Sequence, residues 1–218
     1  MCPISESPSL RRRRKEARPA ELAEAALALF VEKGFAATRL DDVARRAGVS
    51  KGTLYLYFDS KEALFRAVIE HSVLPLFDEV EARLAAQRHD PARLLRELLV
   101  NWWRQVGATP LAGTCKLMLA EARNFPEVAA YFNEAVIGRW SAVLSGVIAE
   151  GIAQGVFRPG TVETLRQLVF YPLLMQSVWR CSMAGCDAPP TLSDDYFDTY
   201  FDILFRGLLA APAQEDRS

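Results

Sequence analysis

The chain has 218 residues, half of them hydrophobic, and its 26 basic and 27 acidic side chains leave a net charge of −1. A chain of this length can bury a sizeable core and is too long for a single small helical module. It has only two histidines and no H-E-x-x-H, G-x-S-x-G or G-x-x-x-x-G-K-[ST] motif, so we expect neither an enzyme nor a bound cofactor or metal.

The composition also bears on location. No apolar run approaches the roughly 20 residues of a membrane-spanning helix, and the arginine-rich start lacks the apolar segment of a signal peptide. We therefore expect a cytosolic protein. The four cysteines form no C-x-x-C pair and have no histidine at zinc spacing, so reduced thiols are expected, with a redox role left open for Cys181 and Cys186.

A basic segment precedes the first helix. Residues 1–60 carry a net charge of +3, whereas residues 61–218 carry −4. The arginine-rich residues 1–18 are predicted to be a disordered basic arm, either solvated or bound to a polyanion. The first helix is predicted from Pro19, which suits the first helical position, to about Lys33.

Residues 38–65, TRLDDVARRAGVSKGTLYLYFDSKEALF, have the pattern of a helix-turn-helix followed by a third helix. Leu40, Val43, Ala44 and Ala47 follow the i, i+3, i+4, i+7 rule and predict one buried stripe. Gly48 is predicted to end that helix in the left-handed region. Thr38, Ser50 and Ser60 are predicted N-caps of three successive helices.

The second helix of the motif is predicted to enter the major groove of DNA. Lys51 can bind guanine or phosphate, Thr53 and Tyr55 can contact a thymine methyl group or a phosphate, and Gly52 lets the backbone approach closely. The alternative is that this helix only presents a polar face to solvent. For Thr38 and Lys61, which flank it, the alternative is a capping or solvated role. The complete predicted DNA-binding set is Thr38, Lys51, Gly52, Thr53, Tyr55, Tyr57 and Lys61, with Thr38 and Lys61 as a phosphate clamp.

The stretch from Pro19 to Phe65 resembles the DNA-binding domain of the TetR/AcrR family of transcriptional regulators. The resemblance is specific because each element has its own offset. The matching features are the helix Leu22–Gly34, the Gly34-Phe35 corner, Thr38, Ala47-Gly48-Val49-Ser50, Gly52-Thr53-Leu54-Tyr55, Tyr57-Phe58 and Ser60-Lys61-Glu62. It implies a homodimeric repressor of a palindromic operator that a small molecule releases. An activator and a ligand-independent DNA-binding protein remain open.

After Phe65 the pattern predicts helix upon helix, with no alternating strand pattern and no repeat. The fold class is therefore all-α, with a DNA-binding domain over residues 19–65 and a larger helical regulatory and dimerisation domain over residues 66–218. The predicted helices begin at Ser60 with a break near Pro75, at Asp90-Pro91, at Thr109-Pro110, at Pro126 with an end near Gly155, at Val162 with an end at Ser182, and at Ser193.

Two of these helices are predicted to bind a second copy of the chain. One carries small residues at helical spacing, which allow close approach, and the last helix is apolar on more than one face. Packing of the stripe within one chain is the alternative. The predicted interface residues are Gly138, Ala142, Ser145, Ala149, Phe197, Phe201, Leu204 and Leu208.

The regulatory domain is also rich in aromatic and sulfur side chains. Helix bundles hold ligands between facing helices, so we predict a pocket for an apolar or aromatic effector. Each of these residues could instead belong to an ordinary core. The predicted pocket residues are Trp102, Trp103, Met118, Phe125, Phe170, Tyr171, Met175 and Trp179.

Overall fold

The computed structural model describes residues 8–86, 90–183 and 194–209. These ranges contain eleven α-helices, two π-helical turns and no β-strand. Within them, Phe157 and Leu209 form an isolated antiparallel backbone bridge. The all-α prediction is confirmed. The helices are α1 (Pro8–Lys33), α2 (Leu40–Arg46), α3 (Lys51–Tyr55), α4 (Lys61–Ser72), α5 (Leu74–Ala86), α6 (Pro91–Trp102), α7 (Ala112–Glu121), α8 (Pro126–Phe132), α9 (Arg139–Ala153), α10 (Val162–Ser182) and α11 (Asp194–Leu208); the π-helical turns are Trp103–Gly107 and Asn133–Gly138.

The chain divides into two compact units. Unit 1 comprises Met1–Pro75, of which residues 8–75 are described, and Gly113–Phe132; unit 2 comprises Leu76–Ala112 and Asn133–Ser218. In unit 1, α1 packs against α2 and α4, and α4 packs against α8. In unit 2, α9 packs against α6 and α10. The predicted division near residue 65 differs, because α4, α8 and most of α7 fold with the first unit.

The first helix begins at Pro8 and contains Pro19 in its interior, rather than beginning at Pro19. The predicted disordered arm is therefore wrong for residues 8–18, and residues 1–7 lie outside the described residues. Arginine, lysine, glutamate and alanine are strong helix formers, which accounts for the longer helix. The predicted end is confirmed, since Gly34 follows Lys33 with φ of 84°.

Most predicted helix boundaries are confirmed by the structure. A break separates α4 from α5, with Pro75 in the first turn of α5, where a missing N–H is tolerated. Asp90 caps α6 by accepting a hydrogen bond from the Ala92 N–H at 2.9 Å. Gly155, with φ of 70°, lies just beyond α9. The loop before the last helix, including Cys186 and Ser193, lies outside the described residues, as does Cys2.

One helical stretch, Pro126–Ala153, is long and apolar enough to cross a membrane by length and composition. Inspection of the sequence missed it because Glu134, Arg139 and Glu150 divide its apolar residues. Core helices of soluble proteins have the same length and composition. The structure divides the stretch into α8, a π-helical turn and α9.

Candidate functional site

The turn between α2 and α3 has the geometry that the sequence predicted. Gly48 has φ of 66°, a conformation that glycine adopts without steric penalty. The Val49 N–H donates a hydrogen bond to the Ala44 carbonyl oxygen at 2.9 Å, and Ala44 is buried. A larger side chain at position 44 would push α2 and α3 apart.

Ser50 caps α3, as predicted. Its Oγ accepts a hydrogen bond from the Thr53 N–H at 3.1 Å, which satisfies one of the free amides at the helix start. The hydroxyl groups of Ser50 and Thr53 are also 2.8 Å apart, within hydrogen-bond distance. The Thr53 side chain is therefore oriented by the cap, and it is only partly exposed.

The solvent-facing side of α3 and its C-terminal end combines polar, aromatic and apolar groups. Lys51 and Gly52 are exposed, Tyr55 is 47% exposed and Leu56 is 82% exposed, whereas Tyr57 is half-buried. Sequence reasoning missed Leu56 because apolar residues were assigned to the core. Helical periodicity could have found it, since two residues turn a helix by roughly 200° and Leu54 is fully buried.

Lys51 is held by a carboxylate of the preceding helix. Its Nζ donates a hydrogen bond to Asp41 Oδ2 at 2.9 Å and lies 5.7 Å from the centre of the Tyr55 ring. The hydrogen bond to Asp41 raises the pKa of Lys51. Both side chains are exposed, so the ion pair is readily exchanged for a phosphate or a base.

Thr38 does not cap α2, and this prediction is wrong. Arg39 occupies the N-cap position, without a capping hydrogen bond from its side chain. Thr38 is 2% exposed, and its hydroxyl lies close to the carbonyl oxygens of Gly34 at 2.7 Å and Leu29 at 3.2 Å. The Gly34 carbonyl lies just beyond the end of α1, where no further helical turn supplies a donor, and the Leu29 carbonyl lies in the last turns of that helix. The hydroxyl predicted to bind phosphate therefore points into the unit.

Lys61 has a similar internal role, in place of the predicted phosphate clamp. Its Nζ donates hydrogen bonds to the carbonyl oxygens of Phe35 at 2.9 Å and Ala36 at 3.0 Å. The same ammonium lies 4.9 Å from the Phe35 ring centre and 5.5 Å from that of Phe125. The start of α4 is thus tied to the corner between α1 and α2.

Two residues predicted for the ligand pocket belong to unit 1. Phe125 lies edge-on to Phe35, with ring centres 4.6 Å apart. Met118 is buried in α7, within the part of the chain assigned to unit 1. Their aromatic or sulfur character suggested the pocket, but that character does not distinguish a pocket from the core of another unit.

An aromatic row runs through unit 2. Phe170 of α10 lies 4.8 Å from Trp102 of α6 and 5.6 Å from Trp140 of α9, between ring centres. Trp140 in turn lies 6.5 Å from Phe77 of α5. We call these four residues the aromatic row. It brings together two of the predicted pocket residues, Trp102 and Phe170, and adds Trp140 and Phe77, which are not in the predicted pocket set.

Trp140 contains a buried donor without a partner. The side chain is 7% exposed, and its indole Nε1 makes no hydrogen bond to any of the described residues. Leaving such a donor unpaired costs about 1–3 kcal/mol. Trp140 follows the π-helical turn Asn133–Gly138, and Trp102 immediately precedes the turn Trp103–Gly107. π-helical turns inside helices are frequent at functional sites.

The remaining predicted pocket residues lie elsewhere in unit 2. Trp103 packs against Phe197, with ring centres 5.9 Å apart. Tyr171, Met175 and Trp179 are 50%, 60% and 51% exposed, so the prediction that they line a pocket is wrong in this chain by itself. Together with Leu168, which is 64% exposed, they form a row along α10 that we call the α10 stripe.

The predicted dimer residues separate into two groups. Gly138, at the end of the π-helical turn before α9, and Ala142 and Ala149 of α9 are exposed, and Ser145 is half-buried, so the stripe of small residues faces away from the core. Phe201 is fully buried and Leu208 is 3% exposed. Both belong to the core of unit 2 and cannot contact another chain. Phe197 and Leu204 are half-buried on α11.

Two family models match this chain. The model described as bacterial regulatory proteins of the tetR family matches residues 22–68, and the model described as the C-terminal domain of AefR-like transcriptional repressors matches residues 93–201. The chain belongs to the TetR family of bacterial transcriptional regulators. The matched residues include α2 and α3 and, in unit 2, the aromatic row apart from Phe77.

Individual relatives agree with this assignment. The transcriptional repressor NicS of Pseudomonas putida is 33% identical over 140 residues, 62% of this chain and 63% of NicS, so the match spans less than two thirds of that relative. The fatty acid metabolism regulator of Bacillus subtilis is 26% identical over 159 residues, 72% of this chain and 80% of that protein. The crystal structure of FadR from Bacillus subtilis in complex with stearoyl-CoA has a TM-score of 0.70 at 20% identity, covering 86% of this chain and 98% of FadR, and shows the fold.

The geometry of Lys61 leads to a prediction that separates internal support from phosphate binding. We expect Lys61→Ala to lower the free energy of unfolding by about 1–2 kcal/mol, because Nζ loses two carbonyl partners and two ring contacts. DNA affinity should fall, but the slope of log Kd against log salt should stay unchanged, since no phosphate contact is lost.

Lys51→Ala is the matched control for Lys61→Ala. It removes an exposed ammonium, so we expect unchanged stability and a salt slope smaller by about one. Urea unfolding and fluorescence anisotropy at several salt concentrations measure both quantities. A smaller slope of log Kd against log salt with unchanged stability for Lys61→Ala would instead support phosphate binding by Lys61.

Gly52 gives a second prediction. A Cβ added at this position would meet nothing closer than Ser50 Oγ at 3.9 Å, so the free protein has room for alanine. We expect Gly52→Ala to stabilise the protein by about 0.5–1 kcal/mol through better helix propensity, yet to weaken specific DNA binding at least about tenfold by blocking backbone approach. Thermal unfolding and anisotropy measure the two effects. Gly146→Ala, at another open helical position, should stabilise without changing DNA affinity; equal DNA affinity for both variants would exclude close approach at Gly52.

Proposed function

We propose that the protein is a homodimeric transcriptional repressor in the cytosol that binds a palindromic operator and is released by a small apolar or aromatic effector. The observation that carries the DNA-binding part is the exposed, capped helix α3 behind a helix-turn-helix turn. The aromatic row and the unpaired Trp140 donor support the effector part.

Base reading is proposed for the exposed side of α3. Lys51 would leave Asp41 for guanine or phosphate, and Tyr55 and Leu56 would contact thymine methyl groups or sugars, while Gly52 permits the close approach. Thr53 and Tyr57 would contribute from the edges of this surface, where both are half-buried. Thr38 and Lys61 support the surface from inside the unit and are not proposed as contacts.

The proposed effector is apolar because the side chains between α5, α6, α9 and α10 are aromatic. FadR from Bacillus subtilis, similar in fold, was crystallised with stearoyl-CoA, and KstR2 of Mycobacterium tuberculosis, with a TM-score of 0.69, is a ketosteroid transcriptional regulator. Both support an effector with a large hydrocarbon part. The effector would act by binding one conformation better than the other, and this coupling to operator affinity is reciprocal.

Dimerisation is proposed through the α10 stripe. Its side chains Leu168, Tyr171, Met175 and Trp179 follow one another at intervals of three or four residues and are each half or more exposed. Covering them with the same surface of a second copy would bury far more apolar area than the small residues of α9. A two-fold dimer would present two α3 helices to half-sites about one turn of DNA apart.

Selection of bound DNA from a random pool tests the central proposal. We expect the wild-type protein to enrich a palindrome, because a two-fold dimer presents the same surface twice. Tyr55→Ala should abolish the preference for the palindrome. Leu56→Ala should lose only the preference for a thymine at one position of each half-site and bind about fourfold more weakly, as expected for one lost methyl contact. Recovery of no enriched sequence by the wild-type protein would contradict operator binding.

The dimer surface can be tested by two matched charge insertions. Met175→Glu should weaken dimerisation by about 2–4 kcal/mol, because a carboxylate would be buried against apolar side chains. Ala142→Glu, on the exposed side of α9, should leave the dimer intact. Analytical ultracentrifugation measures both. A larger effect of Ala142→Glu than of Met175→Glu on dimerisation would place the interface on α9. A monomeric wild-type protein would exclude both surfaces.

A further inference from the structure

We infer that Trp140 binds the effector by donating its indole N–H to a neutral oxygen acceptor, such as a ketone or ester carbonyl, on an otherwise apolar molecule. This inference rests on the proposed effector control and narrows the chemical class of the ligand. The observation behind this inference is the Trp140 Nε1, which has no hydrogen-bond partner among the described residues. The side chain that carries it is only 7% exposed.

Within the described ranges, the surroundings of Trp140 provide aromatic surface, and its N–H reaches no acceptor there. Its ring lies 5.6 Å from Phe170 and 6.5 Å from Phe77, between centroids, and the row continues from Phe170 to Trp102. Buried donors in folded proteins are nearly always paired with an acceptor or with water. An incoming ligand that supplies an oxygen therefore gains a hydrogen bond at a donor that the free protein leaves unused.

The acceptor should be neutral because the nearest cation in the sequence is already neutralised. Arg139 pairs with Asp78 at 3.0 Å and Glu81 at 2.9 Å, and its guanidinium covers the ring of Phe77. A carboxylate beside Trp140 would be desolvated, and the charge of the adjacent Arg139 is already offset by two carboxylates. A carbonyl oxygen carries no such penalty.

A second buried donor limits where a charged group could lie. Arg180 Nε also lacks a hydrogen-bond partner. Arg180 is ten residues beyond Phe170 on α10, about 15 Å along the helix axis. Its Nη2 is 3.5 Å from the Gly107 carbonyl oxygen, at the end of a π-helical turn. Any anionic end of a long effector is therefore expected near Arg180 and not at Trp140.

The two π-helical turns adjoin the aromatic row. Each holds one residue more per turn than an α-helix, so its migration or loss changes the register of adjacent side chains. Trp102 precedes one turn and Trp140 closely follows the other, and both rings contact Phe170.

Acetophenone, ethylbenzene and benzoate test the inference as probes of similar size. The full-length protein is labelled with ¹⁵N at its four tryptophan indoles, and the Trp140 cross-peak is assigned with Trp140→Phe. We expect acetophenone to move the Trp140 N–H proton downfield, because the ketone oxygen accepts its hydrogen bond. Ethylbenzene and benzoate should leave that proton without a downfield shift.

Affinities from the same titrations provide the second readout. Trp140→Phe should bind acetophenone about tenfold more weakly and ethylbenzene with unchanged affinity, as expected for one lost hydrogen bond. Benzothienylalanine at position 140, which replaces the N–H by sulfur at nearly equal volume, should repeat this result if phenylalanine perturbs packing. Trp103→Phe, against Phe197 and outside the aromatic row, is the matched control and should bind both probes as wild type does.

Four results would overturn the inference: no downfield shift with acetophenone, equal acetophenone affinity for wild type and both position-140 variants, a stronger Trp140 response to benzoate, or no binding of any probe. DNA selection with the ligand-free protein reports separately on operator binding. Failure of the proposed function would appear there, even where Trp140 binds the ketone.

Discussion

Phe35 is the residue on which the geometry of unit 1 depends. It is fully buried and contacts Phe30, Phe65 and Phe125 at ring-centre distances of 5.1, 6.0 and 4.6 Å. The chain reaches this position only because Gly34 adopts positive φ and turns sharply at the end of α1. The direction of α2, and with it the position of α3, therefore follows from how this one ring is enclosed.

Two polar side chains hold the same corner, which explains why their sequence positions look functional. The Thr38 hydroxyl is bonded to the end of α1, and the Lys61 ammonium binds the Phe35 and Ala36 carbonyls. A residue that fixes the angle of a DNA-reading helix affects DNA binding as strongly as one that touches a phosphate. Sequence position alone cannot distinguish these two roles, because residues in both roles lie next to helix ends. Burial and hydrogen-bond partners do distinguish them.

The sequence predicted where helices begin and end better than it predicted what covers their apolar faces. Gly34, Gly48 and Ser50 act through local backbone geometry, so their roles could be inferred without tertiary structure. Helical periodicity identifies a stripe but does not say what covers it. Met175 was therefore assigned to a pocket and Phe201 to a dimer surface, whereas the first is 60% exposed and the second fully buried.

The assignment of α7 and α8 to unit 1 could not be predicted for a related reason. Nothing in their composition separates them from the helices of unit 2, and only tertiary packing of Phe125 and Phe132 against Phe35 and Phe65 does so. As a result the chain passes between the two units three times rather than once. Three chain connections therefore join the two units: one within α5, one at the start of α7 and one after α8.

The Asp41–Lys51 pair places a limit on nonspecific DNA binding. In the free protein the Asp41 carboxylate forms an ion pair at 2.9 Å with the Lys51 ammonium, the group that α3 would offer to DNA. Exposed pairs of this kind contribute about 0–1 kcal/mol, so a well-placed guanine or phosphate can displace the carboxylate. In the proposed complex its charge would remain close to the DNA and repel phosphates at every sequence, whereas only a cognate sequence would add base contacts. A repulsion that is equal at every sequence lowers all affinities by the same factor, so discrimination between sequences would rest on the base contacts of α3.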